Sequence, residues 1–109
     1  MACNTQVIHI HQNGTVDAKT CELHKGKNHR ILWVSESDRG HDICFDDKRS
    51  PFTKTQQTHM LTIKARGWVE SGEIHSSAEE GREKKYTYQV KAKAQTKEVA
   101  ADPVVIIQP

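Results

Sequence analysis

Short apolar blocks separated by turn residues run along the whole chain, a spacing that predicts an all-β domain. Val7-Ile8-His9-Ile10-His11 alternates apolar and polar positions and stops at Asn13-Gly14, a strong turn signal. In Thr20-Cys21-Glu22-Leu23, Cys21 and Leu23 share one face, and Lys25-Gly26 makes the next turn. Arg30-Ile31-Leu32-Trp33-Val34-Ser35 carries apolar residues on both faces, which predicts a strand in the middle of a sandwich. After the polar loop 36–40, His41-Asp42-Ile43-Cys44-Phe45 turns His41, Ile43 and Phe45 the same way.

The segment Arg49-Ser50-Pro51-Phe52 reads as a loop, because proline cannot donate to a ladder. His59 to Ile63, Trp68 to Glu70 and Gly72 to His75 are weaker strand candidates, and Ala78 to Arg82 a turn or a single helical turn. The longest alternation follows. Tyr86, Tyr88, Val90 and Ala92 occupy one face, with Lys85, Thr87, Gln89, Lys91 and Lys93 on the other, so this strand has one wet face. Four β-branched residues, Val104 to Ile107, predict a well-buried final strand, with Pro103 at its start where a missing N–H does least harm. The pattern adds up to seven or eight strands with essentially no helix. A sandwich accommodates this by burying alternate residues between two sheets.

At 109 residues the length predicts one domain spanning 1–109. A net charge of +2 is too small to argue for nucleic acid or an anionic membrane as partner, and no apolar run is long enough to span a bilayer. The start, Met1-Ala2-Cys3-Asn4, lacks the basic and apolar regions of a leader, which favours the cytoplasm unless a leader has been removed. Cys3, Cys21 and Cys44 form no CxxC pair and are odd in number, which argues against a closed zinc site and a disulfide scaffold.

Several segments, taken in order, resemble a cupredoxin, the plastocyanin and azurin type of β-sandwich. Val16-Asp17-Ala18, Cys21 to Gly26 and Ile31 to Ser35 are similar to the family's approach to its third strand. Ser37 to Asp46 resembles the segment bearing the first copper-binding histidine, and Gly81 followed by Tyr86-Thr87-Tyr88-Gln89-Val90 the strand that leads to the ligand loop. The resemblance implies a Greek-key sandwich whose copper is held by two histidines, a cysteine thiolate and a weak axial ligand, often methionine. His41 matches the first histidine, followed by Asp42 where asparagine is usual. Val90 stands where the cysteine belongs, Lys93 about where the second histidine would be, and no methionine follows Met60. The fold is therefore expected without the blue-copper centre, and no cofactor is expected.

The remaining chemistry is sparse. His9 and His11, two apart, face one way and could take Cu²⁺ or Zn²⁺, but the sequence identifies no third ligand. His41 is the other metal candidate; Cys44 lies on the opposite face, and His75 comes near His41 only if the family's sheet order holds. Trp33 reads as core, while Trp68 beside Gly67 reads as a contact surface. Tyr86 and Tyr88 alternate as a base-stacking platform would, although apolar Val90 and Ala92 disfavour one. No nucleophile elbow, zinc-protease or phosphate-loop motif is present. The expected function is a non-catalytic binding or interaction module that meets a protein partner or a second copy, the apolar final strand leaving room for edge pairing. The alternative is a histidine-based copper- or zinc-binding protein.

Overall fold

A computed structural model of the chain describes residues 5–12, 14–27, 29–46, 49–55, 59–92 and 103–109. The start Met1-Ala2-Cys3-Asn4 lies outside these residues, as do Asn13, Lys93 and Asp102. The described residues form eight strands and no α-helix: β1 Thr5–Ile10, β2 Thr20–His24, β3 Arg30–Ser35, β4 His41–Phe45, β5 Met60–Ile63, β6 Trp68–Glu70, β7 Tyr86–Ala92 and β8 Val104–Gln108. They build two sheets, one ordered β1-β3-β6 and one ordered β2-β8-β7-β4-β5. The pairs β1/β3 and β2/β8 are parallel, and the others antiparallel. The first four strands alternate between the sheets, so the chain crosses the core repeatedly and each layer buries one face against the other.

The alternation read along the chain appears as buried faces. Ile8 and Ile10, Ile31 and Trp33, His41, Ile43 and Phe45, and Tyr86, Tyr88 and Val90 all point inward. At the centre, Trp33 from the small sheet meets Tyr88 from the large one at 5.6 Å between ring centroids, and Phe45 and Phe52 complete the cluster. Aromatic rings span the gap between layers with few atoms wasted, and their edge-to-face packing matches the ring quadrupoles.

Three expectations change, and one disfavoured reading drops out. β3 is the middle strand of its sheet, but only Ile31, Trp33 and Ser35 are buried; Leu32 and Val34 stay partly exposed because no second layer of the described residues covers that face. β8 lies between β2 and β7, paired along its length with β2 and at Val104 and Val105 with β7, so it is an interior strand of the sheet and not the free edge expected. The candidate strand Gly72 to His75 reduces to one bridge, Ile74 with Phe52, since Gly72 has a φ of +82°, outside the extended range. Tyr86 and Tyr88 are buried, so neither can stack on a base.

Candidate functional site

Parallel pairing of β1 with β3 and antiparallel pairing of β3 with β6 set two rows across the outer face of the small sheet. One row is His9, Val34, Trp68; the next is Val7, Leu32, Glu70. Because Ile8, Ile31 and Trp33 point inward, these neighbours point outward. Trp68 is 70% exposed and Val7 49%, and Leu32 and Val34 lie between them. Four apolar side chains thus form one solvent-facing patch. One end carries Arg30, whose guanidinium reaches Glu70 at 2.9 Å and Glu73 at 3.3 Å. Trp68, the residue expected to be exposed, is exposed; Leu32 and Val34, expected within a strand covered on both faces, stand on the same outer face.

The other end holds the histidine pair. The β1/β3 register continues beyond the strands, with the Glu36 amide donating to the Ile10 carbonyl at 2.8 Å. That step brings Glu36 beside His11, on the face His9 already occupies. The Nδ1 of His11 donates to one carboxylate oxygen at 3.0 Å, and the Nδ1 of His9 to the other at 3.2 Å. These bonds hold the Glu36 carboxyl below its usual range, the two histidines outweighing the cost of desolvation. Glu36 is the partner the HxH pattern lacked, 25 and 27 residues away in sequence from His11 and His9.

His41 lies elsewhere, at one end of β4, paired with Ile63 on β5 and Ala92 on β7. It is buried and its Nδ1 has no partner among the described residues, while the ring bonds the Arg39 backbone. Burial holds its imidazole below the ordinary histidine range. His75 does not approach it. His75 donates from Nε2 to the Ser50 carbonyl at 2.8 Å, next to His59, whose carbonyl accepts from the Phe45 amide at the other end of β4. There, Arg49, Ser50, His59, His75, Ser77, Glu79 and Tyr86 line an open depression of about 280 Å³. Its charge is internally balanced, since Arg49 stacks over Tyr86 at 4.7 Å and reaches Glu79 at 3.3 Å.

A copper centre of the blue type can be tested against these residues. The orphaned Nδ1 of His41 is compatible with a ligand. Val90, which the resemblance sets in the place of the thiolate, is buried opposite Ile43, and Cys44 alternates to the other face of β4. Among the described residues, no three His, Cys, Asp or Glu side chains are arranged as they stand to hold a metal ion. The described residues do not fit that centre, because the copper–thiolate bond defines it.

No protein-family model and no curated protein matches the chain. Solved structures do. A reduced Cu(I) form of an amicyanin variant superposes with a TM-score of 0.60 at 14% identity, covering 99% of this chain and 86% of that one. A purple cupredoxin from Nitrosopumilus maritimus gives 0.59 at 14% identity over 94% and 98%. Reduced auracyanin from Roseiflexus castenholzii gives 0.58 at 14% identity over the whole of both chains. Identities this low speak for the fold alone. The chain has a cupredoxin-like β-sandwich fold, and among its described residues no three His, Cys, Asp or Glu side chains are grouped to hold a metal ion.

Proposed function

We propose that this chain is a non-catalytic interaction module that docks another protein through the outer face of the β1-β3-β6 sheet. The observation that carries the reading is Trp68, 70% exposed on a row with Val34 and next to Leu32 and Val7. A large aromatic ring left in water beside aliphatic neighbours, with charged groups at the rim, has the make-up of an interface centre. A second copy is the first partner to test, because an isologous contact needs only one such patch.

Sedimentation up to millimolar protein, with and without Trp68→Ser, measures self-association. A photo-crosslinker at Val7, used in cell extract, captures other partners. A concentration-dependent dimer, or a discrete adduct, that disappears in the Trp68→Ser variant supports the reading. A strict monomer that yields no discrete adduct removes it.

A second reading, a histidine-based copper or zinc binder, is favoured by one specific observation. Glu36 stands against both His9 and His11, where the sequence showed only two donors.

A further inference from the structure

The geometry points to a site for a divalent transition-metal ion, Zn²⁺ or Cu²⁺, formed by His9, His11 and Glu36. It rests on the histidine-based reading and goes beyond it by assigning the third ligand and the means by which the site is built.

The donor set suits these ions. Two imidazole nitrogens and one carboxylate serve Zn²⁺ and Cu²⁺, whereas Mg²⁺ and Ca²⁺ prefer oxygen alone. One carboxylate already faces both imidazoles, since the Nδ1 of His11 bonds one Glu36 oxygen at 3.0 Å and the Nδ1 of His9 the other at 3.2 Å. As they stand, each imidazole donates its proton to one oxygen and no three such side chains among the described residues are placed to hold a metal ion, so capture requires these side chains to turn. Side chains that are about half exposed can turn through that change without disturbing the core.

The backbone beneath them is held. The His9 amide donates to the Asp17 carboxylate at 3.0 Å. The His11 amide donates to the Thr15 carbonyl at 2.8 Å, fixing the turn after β1. Gln12 and Asp38 clamp the two loops to each other: the Asp38 amide donates to the Gln12 side-chain carbonyl at 3.0 Å, and the Gln12 amide group donates back to Asp38. This clamp joins the segment after His11 to the segment after Glu36, so the spacing of the donors does not depend on the histidines and Glu36 alone. Support of this kind keeps ligands near their binding geometry and lowers the ordering cost on metal capture. Asp17 and Asp38 add negative charge beside the site without entering it. Three protein donors leave the remaining positions to water or to a side chain from whatever docks beside Trp68, since His9 shares a row with Val34 and Trp68.

The test is calorimetric titration of the full chain, first stripped with a chelator, using Zn²⁺ and then Cu²⁺ in a non-coordinating buffer. The variants are Glu36→Gln and the double substitution His9→Ala/His11→Ala, with circular dichroism confirming that each folds. The expected result is one equivalent bound at micromolar or tighter affinity, at least tenfold weaker in Glu36→Gln and absent in the double variant. Binding lost in the double variant but unchanged in Glu36→Gln overturns the three-donor site and leaves the two-histidine reading standing. Binding unchanged in the double variant, or no stoichiometric binding at all, overturns both.

Discussion

Trp33 on β3 donates its indole N–H to the hydroxyl of Tyr88 on β7, 3.3 Å away, in the fully buried centre between the two sheets. It is a polar tie inside an otherwise apolar aromatic cluster, and burial pushes the Tyr88 hydroxyl well above its usual range. Tyr88→Phe keeps the ring and removes the acceptor, leaving a buried donor unsatisfied. The expected loss is about 1–3 kcal/mol, read as a lower urea midpoint at unchanged slope. A variant as stable as the parent would show that the indole finds another acceptor.

His41 sets an acid sensitivity. Its pKa is depressed by burial, so the unfolded chain takes up a proton at this position before the native one does. Its contribution is complete above the ordinary histidine value of about 6.5 and declines as pH falls towards the lower folded value. Replacing His41 by Leu removes that part of the slope and the orphaned nitrogen with it. Denaturation of parent and variant from pH 8 to pH 5 should give curves that diverge below about pH 6.5. Parallel curves would sink the assignment. Glu36 acts in a lower window: its depressed pKa makes a contribution present above the ordinary carboxylate range and lost as pH falls through the folded value.

Cys21 should be chemically silent. It is buried on β2, and burial followed by the neighbouring Glu22 charge pushes its thiol up to about 11. Cys44 is half-buried, and burial raises its thiol too. Iodoacetamide at pH 7.5, with peptide mapping, should label Cys44 faster than Cys21, and label Cys21 only as the protein unfolds. Equal rates in the native state would contradict the packing of β2 against β8.

Lys25 anchors the loop that borders the Arg49 depression. Its ammonium donates to the Ser76 carbonyl at 2.9 Å and the Ala78 carbonyl at 3.0 Å. Lys25→Met keeps the stem and loses both bonds. Partial exposure limits the cost to about 1 kcal/mol. Hydrogen exchange should speed up at the Ala78 and Glu79 amides, which bond His75 and Tyr86, with β4 and β7 unaffected. Unchanged exchange at those two amides would remove Lys25 from this role.

What the chain order determines by itself is which residues can share a face and which chemistry is absent. The alternation from Tyr86 to Val90 reads directly as an inward row, because a strand repeats every two residues whatever lies beside it. Valine at position 90 rules out a thiolate there before any folding is considered. Neighbourhood across strands is a different kind of information. Glu36 beside His9 and His11, Val34 beside Trp68, and His75 at the far end of β4 from His41 depend on register and sheet order. So does the place of β8 between two neighbours, and the partial exposure of Leu32 and Val34 on a sheet that no described element covers. Local periodicity specifies a face; only the pairing of distant strands decides what that face meets.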